Sequence, residues 1–271
     1  MRLCIITFLA GALMMTTSVS TFAFDHAHAV WGALLKQHVQ VAQDGHSSRV
    51  DYRGLANERK KLTAYLLELS AVAPGEYRGW TRAQQLAFLI NAYNAYTVEL
   101  VLTRYPELKS IKDLGSLFSS PWKKKFFTLL GSGRSLDDIE HGLIRAPGAF
   151  DEPRIHFALN CASIGCPMLR EEAFTADRLE AQLEDGVRRF LGDRSRNRHE
   201  PSSGRLALSP IFDWYKADFE KGHRGVRATR QFVAPYADLL ADSTADRAAV
   251  RTAQAALRYL DYDWNLNDAG R

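Results

Sequence analysis

The stretch that most constrains the fold is "LAFLINAYNAYTVELVL", residues 86–102, because apolar side chains would surround almost the whole circumference of a helix built from it. A helix of that kind has to be buried on every side. Thr81 before this stretch and Pro106 after it are typical residues for the start and the end of a helix. The pattern therefore predicts a buried helix from Arg82 to Thr103, around which the remaining chain has to pack.

Two polar residues, Asn91 and Asn94, interrupt this apolar helix. They are three positions apart, so they lie on one face of it. A buried amide group without a partner costs about 1–3 kcal/mol, so both amides must be hydrogen-bonded. Two interpretations stay open: the amides tie neighbouring loops to the helix, or they orient a catalytic imidazole or line a pocket.

The spacing of apolar residues predicts more helices on both sides of this one. They cover residues 27–41 and 57–72, and a longer amphipathic helix begins after Thr175 as its cap and ends near Leu191. The segment after residue 209 is also predicted to be helical, up to the tail that begins at Tyr259.

Strands are predicted in the second half of the chain, for "KKFFTLL", "RIHFALN" and "GRLALS". Between the first two, Ser135 and Asp138 resemble a capping pair that opens the helix "LDDIEHGLIR". We therefore predict an α+β fold that is mostly helical, with a small β-sheet in the second half, and a single domain over residues 24–271.

Residues 1–23 predict export. Met1-Arg2 supplies a positive charge, residues 3–15 are apolar, and residues 16–23 are small or polar, which is the pattern of a secretory signal peptide cleaved after Ala23. The apolar run is shorter than the roughly 20 residues that a membrane-spanning helix needs. We expect a periplasmic or secreted protein without a membrane span in the mature chain.

Charge and missing motifs exclude several classes of protein. The formal net charge is +4, and acidic and basic residues are interspersed except at Lys123–Lys125 and among the arginines of 188–198. Solvated surfaces explain both clusters, and export disfavours nucleic acid, so no nucleic-acid partner is expected. No phosphate-binding loop, Gly-x-Ser-x-Gly elbow or His-Glu-x-x-His helix is present. We expect no cofactor, and the remaining partner class is a small-molecule or peptide ligand, while the oligomeric state stays open.

The stretch "RIHFALNCASIGCPM", residues 154–168, carries most of the chemically active side chains. If residues 155–160 form a strand, His156 and Asn160 point to one face and Cys161 to the other. His156 and Cys161 would then be about 16 Å apart, so a thiol–imidazole pair requires the strand to end before Cys161. Another imidazole, His141, lies beside Glu140 in the helix before this stretch.

Three interpretations of Cys161 and Cys166 stay open. An exported chain and a short turn favour a disulfide. A thiol at the end of a core strand, with a nearby histidine oriented by Asn91, Asn94 or Asp263, favours a nucleophile. Zinc bound by the cysteines with His141 and His156 is the third interpretation, but Cys-x4-Cys without a downstream ligand pair matches structural zinc spacings poorly, so no metal is predicted.

The C-terminal stretch "DYDWNLN", residues 261–267, predicts a tail docked on the domain with Trp264 as its anchor. Asp263 is the acid in this tail that we regard as a candidate binding residue. In the thiol stretch, Asn160, Ser163 and Cys166 are further binding candidates.

Five motifs occur together and in order: "NAYNAYT", "LDDIEHGLIR", "HFALNCASIGCP", "LSPIFDWYKADF" and "YLDYDWNLN". Their combination resembles the family catalogued as domain of unknown function 547, and with "VDYRGL" the resemblance spans most of the mature chain. Met168 stands where a second proline is common in that family. The family has no generally assigned activity. Fusion of its plant members to a glutaredoxin-like module implies thiol chemistry, and fusion to a coiled coil implies a scaffold role.

Two functional hypotheses follow. In the first, a pocket forms where the Asn91/Asn94 helix, the Glu140–His141 helix and the loop 160–167 meet. Cys161 is then the nucleophile of an acyl-transfer or hydrolytic enzyme, with His156 or His141 as its base and an asparagine as orienter or oxyanion donor. In the second, the chain is a non-enzymatic binding or scaffold domain, and its two cysteines form a structural disulfide.

Overall fold

The apolar helix lies at the centre of the fold, as predicted. The structure is a computed structural model and describes residues 23–116 and 119–270. The central helix covers Arg82–Leu102, and every residue from Leu86 to its end is buried except the partly exposed Glu99. Thr81 caps it: its hydroxyl accepts a hydrogen bond from the backbone of Gln84, whose side chain accepts one from the backbone of Thr81.

Helices dominate the described residues, and the fold is α+β, as predicted. Eleven α-helices lie there: α1 (Ala29–His38), α2 (Tyr52–Asn57), α3 (Arg59–Ala71), α4 (Pro74–Gly79), α5 (Arg82–Leu102), α6 (Leu179–Gly192), α7 (Ile211–Trp214), α8 (Lys216–Glu220), α9 (Thr229–Val233), α10 (Ala237–Leu240) and α11 (Thr244–Arg251). None of them is both long and apolar enough to cross a membrane.

The strands are short and form three separate sheets. They are β1 (Val39–Val41), β2 (Ser48–Val50), β3 (Phe127–Leu129), β4 (Ser132–Arg134), β5 (Arg198–Glu200), β6 (Arg205–Leu208) and β7 (Ala256–Tyr259). β1 with β2 and β3 with β4 form antiparallel hairpins, while β6 pairs antiparallel with β5 and parallel with β7. The predicted sheet of the second half is therefore present. β7 lies where a helix was predicted, and the β1–β2 hairpin was not predicted.

The predicted strand over residues 155–160 is wrong. Pro153–Phe157 forms a 3₁₀-helix, which begins with a proline and is capped by Glu152 accepting a hydrogen bond from the backbone of Arg154. A short apolar run does not distinguish a core strand from a buried helical turn, and here the flanking proline decides for the turn. The separation of about 16 Å between His156 and Cys161 was calculated for an extended strand, so it does not apply to this structure.

Two further local predictions need correction. Helix α6 begins at Leu179 without a side-chain cap, and the backbone N–H of Thr175 instead donates to the side chain of Gln182. The segment Asp138–Ile144 is a π-helix, in which the N–H of Arg145 donates to the carbonyl oxygen of Glu140. Its predicted capping pair is confirmed, because Ser135 and Asp138 exchange backbone-to-side-chain hydrogen bonds.

Two hydrophobic clusters form the interior, and the thiol stretch runs between them. The first surrounds α5 and includes Ile155 and Leu159. The second is rich in phenylalanine, draws on α6 to α11, and includes Phe157. The 3₁₀-helix Pro153–Phe157 therefore contributes side chains to both clusters and places His156 beside their boundary.

The C-terminal tail docks against the domain, as predicted, but its anchor is different. The backbone of Asn267 donates to Ala162 and accepts from Val50, so the tail joins the thiol loop to β2. Leu266 and Asn267 are 3% and 2% exposed, whereas Trp264 is only partly buried. The aliphatic side chain and the amide, rather than the indole, therefore anchor the tail. The predicted extent of the domain, residues 24–271, stays a prediction, and the predicted signal peptide lies outside the described residues except for Ala23.

Candidate active site

The loop that carries Cys161 is fastened to the central helix by an amide. The Asn94 side chain accepts a hydrogen bond from the N–H of Asn160 at 2.8 Å and donates one to the carbonyl oxygen of Ala158 at 2.9 Å. The Asn160 side chain in turn accepts from the N–H of Ala162 and donates to the carbonyl oxygen of Pro167. These bonds hold Ala162 in the left-handed region, at φ 62°, a conformation that is uncommon for a non-glycine residue.

Asn91 performs the same task for another segment. Its amide donates to the carbonyl oxygen of Phe174 and accepts from the N–H of the same residue. The side chains of Asn91, Asn94 and Asn160 are thus satisfied by backbone groups, and none of the three lines the cavity described below. Of the two interpretations of the amide pair, the structure shows the one in which the amides tie loops to the helix.

Cys161 and Cys166 are free thiols with different surroundings. Cys161 is partly exposed, and its Sγ lies 3.3 Å from Ser163 Oγ and 3.2 Å from the Tyr262 hydroxyl. The Ser163 hydroxyl donates to the Tyr262 hydroxyl at 3.0 Å, which leaves the tyrosine proton directed at the sulfur. Cys166 is buried, and its Sγ accepts a hydrogen bond from the N–H of Cys161 at 2.8 Å.

These contacts separate the acidities of the two thiols. Burial alone would raise the pKa of Cys161, but its hydrogen-bonding contacts with Cys166, Ser163 and Tyr262 outweigh burial and lower that pKa to about 7. Burial and the neighbouring sulfur raise the pKa of Cys166 well above its usual value. Cys166 therefore keeps its proton near neutral pH, and Cys161 is the sulfur that becomes a thiolate as the pH rises through about 7.

The tail brings Tyr262 to this sulfur through a close approach at Gly165. The N–H of Gly165 donates to the carbonyl oxygen of Asp263 at 2.8 Å. A Cβ atom at position 165 would lie 3.0 Å from the backbone of Asp263 and from the ring of Tyr262. A glycine is needed here because a side chain would push the tyrosine away from Cys161.

His156 is held by a carboxylate from the C-terminal half of the chain. Its Nε2 lies 2.8 Å from Asp218 Oδ2, which also accepts a hydrogen bond from Arg145 Nε at 2.5 Å. The ring stacks on Tyr215 with centroids 3.8 Å apart. Because a carboxylate only accepts, Nε2 carries the proton of the neutral ring and Nδ1 carries a lone pair. No partner of Nδ1 is found among the described residues.

The electrostatics of this pair favour a neutral imidazole beside an ionised acid. Burial lowers the pKa of His156, against the opposing effect of Asp218. Burial would raise the pKa of Asp218, but hydrogen bonds from His156 and Arg145 hold it well below its usual range. A neutral ring with a free lone pair is the form in which histidine acts as a general base.

Cys161 and His156 line one cavity of about 200 Å³. Glu140 and His141 line it from the π-helix, and Asp137 lines it from the residue that precedes that helix. Most of the other lining side chains are aromatic: Tyr93, Trp122, Trp214, Tyr215, Tyr262 and Trp264. Burial raises the pKa of each of the three tyrosines, so their hydroxyls stay protonated near neutral pH and can donate hydrogen bonds.

The two side chains predicted from the π-helix differ in their surroundings. Glu140 is 6% exposed, and its Oε1 has no hydrogen-bond partner in the described part of the chain. The His141 side chain is 45% exposed, and its Nδ1 accepts a hydrogen bond from Arg145 at 2.5 Å. Its Nε2 faces Asp137 at 3.9 Å. Since Arg145 occupies Nδ1 of His141, His156 is the better placed of the two candidate bases.

The structure thus brings most of the sequence-predicted site residues together. Those that line the cavity are Cys161, Cys166, His156, His141, Glu140 and Trp264. Ser163 reaches it only through Cys161 and Tyr262. Asp263 does not line it, because its carboxylate is bonded to Asn265 and it borders a separate polar cavity. No cluster of three or more potential metal ligands occurs within residues 23–116 and 119–270.

Three important side chains were not predicted for the site: Asp218, Tyr215 and Tyr262. The first two lie in the motif "LSPIFDWYKADF", where an acid stands among aromatic residues, and the third lies in the C-terminal tail. An aromatic stripe at helical spacing is more often a hydrophobic core than a site, so the pattern alone did not single them out.

Comparisons with known proteins give a family and nothing closer. Residues 77–191 match the model of the family described as "Protein of unknown function, DUF547", which confirms the resemblance found in the motifs. No curated protein and no solved structure matches the chain. The matched segment contains Cys161, His156 and Glu140, whereas Asp218 and Tyr262 lie beyond its end.

Proposed function

We propose, from the match of residues 77–191 to the DUF547 family model and from the geometry of the cavity, that the chain is a thiol-dependent acyl-transfer or hydrolytic enzyme with Cys161 as nucleophile. One observation carries the proposal. A partly exposed thiol whose pKa is lowered to about 7 shares a cavity with a histidine held by a carboxylate. Nucleophile, base and orienter are the three parts that covalent acyl transfer requires.

The proposed reaction begins with a proton transfer. As Cys161 Sγ attacks the acyl carbon, the thiol proton passes to His156 Nδ1, and a carbon–sulfur bond forms. The bond to the leaving group breaks, and that group departs with the electron pair and takes the proton from His156. Asp218 holds the ring of His156 at Nε2, which leaves Nδ1 as the nitrogen that takes the proton, and it stabilises the imidazolium while it exists.

The second half returns the enzyme to its starting state. Water, or another acceptor, gives a proton to His156 Nδ1 as it attacks the thioester carbon. The carbon–sulfur bond breaks, Cys161 leaves as the thiolate or regains the proton from His156, and the acid or the transferred acyl product departs. The Tyr93 hydroxyl lines the same cavity and stays protonated, so we assign it as a donor to the oxyanion that forms in both halves.

An activated ester tests this proposal without knowledge of the natural substrate. Wild-type protein incubated with p-nitrophenyl acetate is expected to release p-nitrophenol in a burst and to gain one acetyl group on Cys161, detectable by peptide mass spectrometry. Cys161→Ser is expected to lose both, while Ser70→Ala, which removes a hydroxyl outside the cavity, keeps both. Equal bursts from Cys161→Ser and wild type would eliminate Cys161 as the nucleophile.

A second candidate function has one observation in its favour. The N–H of Cys161 donates to the sulfur of Cys166, so the two cysteines are near neighbours, and oxidation could join them into a structural disulfide. The chain would then be a binding or scaffold domain that does not act on its ligand. The redox state of the two cysteines distinguishes the two functions, because a nucleophile has to be a free thiol and the scaffold domain would contain a disulfide.

We also propose that the protein is exported to the periplasm or beyond, on the sequence of residues 1–23 alone. Expression of the full chain in a Gram-negative host, followed by N-terminal sequencing of the periplasmic fraction, is expected to give a chain that begins at Phe24. Recovery of the uncleaved chain from the cytoplasm would contradict this.

A further inference from the structure

The charged side chains that themselves line the cavity are acidic. Two carboxylates line it, those of Asp137 and Glu140, and the lining includes no lysine and no arginine of the described residues. The nearest basic atoms to both carboxylates belong to His141, whose two ring nitrogens are each 3.9 Å from one of them. That separation is longer than a hydrogen bond, so neither carboxylate is neutralised by a close contact there.

Glu140 is the more informative of the two. Its side chain is 7% exposed, and its Oε1 is buried without a hydrogen-bond partner among the described residues. The guanidinium of Arg154, which is also buried, is by contrast held by Glu152 and Glu180. The carboxylate of Glu140 has a hydrogen-bonding contact with the Tyr215 hydroxyl, but its Oε1 is left without a donor. A buried carboxylate oxygen without a donor destabilises a fold, so Oε1 beside a cavity indicates a missing partner with hydrogen-bond donors and positive charge.

The aromatic side chains that line the cavity also favour a positively charged ligand. The indole of Trp264 already carries an ammonium group over its face, since Lys112 Nζ lies 3.7 Å from the ring centroid. Arg145 lies over Tyr215 in the same way, at 4.8 Å. Trp214 and Trp122 also line the cavity. Faces of tryptophan and tyrosine attract cations, most of all where water is excluded.

From the unpartnered Oε1 of Glu140, the neighbouring Asp137 and the aromatic side chains of the cavity we infer that the acyl donor carries a protonated amine, which Glu140 binds while Cys161 attacks the acyl carbon. This inference rests on the proposed function and adds a substrate class to it: aminoacyl or peptidyl esters, thioesters or amides with a free ammonium group. Glu140 is then a binding residue. Because the cavity is only about 200 Å³ in volume, it accommodates the ammonium end and the acyl carbon of such a donor rather than a long chain.

Alkylation of Cys161 by three small reagents of different charge tests the inference. 2-Bromoethylamine is cationic, iodoacetamide neutral and iodoacetate anionic, and all three form a stable thioether that Cys166 cannot displace. The rate at Cys161, followed by peptide mass spectrometry, is divided by the rate of the same reagent with 2-mercaptoethanol. In wild type we expect the normalised rate of the cationic reagent to exceed that of the neutral one by about fivefold or more. The normalised rate of the anionic reagent should be lower than that of the neutral one by a similar factor.

Glu140→Gln is expected to remove most of this cationic preference, while Glu68→Gln, which removes an exposed carboxylate from α3, leaves it unchanged. Dividing by the iodoacetamide rate of the same variant corrects for any change in the reactivity of Cys161. Should Glu140→Gln not fold, Asp137→Asn is the second variant and is expected to weaken the preference in part.

The outcomes separate the two proposals. Equal normalised rates for all three reagents in wild type, or a cationic preference that survives in both variants, would overturn the amine inference. The proposed nucleophile would still stand if iodoacetamide modified Cys161 near neutral pH and the acetyl burst persisted. Loss of the burst in wild type would remove the proposed function, whatever the charge preference.

Discussion

At the scale of single residues, the Tyr262 hydroxyl accounts for part of the difference between the two thiols. It lies 3.2 Å from Cys161 Sγ and stabilises the thiolate rather than the thiol. A lowered thiol pKa means that the reactive thiolate is present above pH about 7 and is lost as the pH falls through that value. The rate of Cys161 with iodoacetamide is therefore expected to rise with pH, with its midpoint near that value.

Tyr262→Phe is expected to raise that midpoint by roughly one pH unit, since one hydrogen bond to the thiolate is lost. Tyr236→Phe serves as the matched control, because its hydroxyl bonds Glu184 and does not line the cavity. A midpoint above pH 8 in wild type would contradict the activation of Cys161, and an unchanged midpoint in Tyr262→Phe would show that the tyrosine has no part in it.

Cys161 and Cys166 are predicted to be reduced. A catalytic thiolate must be free, so Cys161 and Cys166 of a chain that begins at the proposed cleavage site are expected to react with an alkylating reagent in denaturant without prior reduction. The intact mass should increase by two labels whether or not a reductant was used first. Labelling only after reduction would show a disulfide and favour the scaffold function, in which neither sulfur can attack a substrate.

At the scale of elements, the sequence predicted regular periodic structure and missed the irregular segments that make the site. Helix α5 was predictable because its apolar pattern and its Thr81 cap agree. The turn Pro153–Phe157 was not, because its apolar residues are divided between two hydrophobic clusters and follow no single period. The loop that follows is shaped by amide contacts from a distant helix, for which local sequence holds no signal.

The hydrogen bonds from Asn94 on α5 to the loop that carries Cys161 can be tested by mutation. Replacing it by alanine removes the acceptor for Asn160 and the donor to Ala158, both buried, which should lower the free energy of unfolding by about 1–3 kcal/mol. Because the loop also places Cys161, its rate with iodoacetamide is expected to change as well. Asn57→Ala, at an exposed position at the end of α2, is the control for urea unfolding and alkylation. A variant as stable as wild type would show that the loop does not depend on this amide.

At the scale of the whole molecule, the site depends on parts of the chain that lie far apart. His156 and Cys161 lie within residues 77–191, but Asp218 arrives from α8 and Tyr262 from the tail. The second hydrophobic cluster, built from α6 to α11, positions α8 against the 3₁₀-helix that holds His156. The C-terminal half therefore supplies the carboxylate that holds His156 and the hydroxyl that contacts Cys161.

Asp218→Asn tests this dependence through both activity and acid stability. The pKa of Asp218 lies well below its usual range in the folded protein, so its ionised form stabilises the fold above pH about 4 and that contribution is lost as the pH falls further. Replacing it is expected to cost about 3 kcal/mol near neutral pH, because His156 and Arg145 lose a partly buried charged partner, and the difference from wild type should shrink below pH about 4.

The same variant should slow the acetyl burst by at least about tenfold, since His156 loses the group that fixes its tautomer. Asp213→Asn, at an exposed acid on α7, is the matched control and should leave both burst and acid stability as in wild type. An Asp218→Asn protein that is less stable but bursts at the wild-type rate would make the His156–Asp218 pair a structural contact. The base would then have to be His141, the only other imidazole that lines the cavity in the described part of the chain.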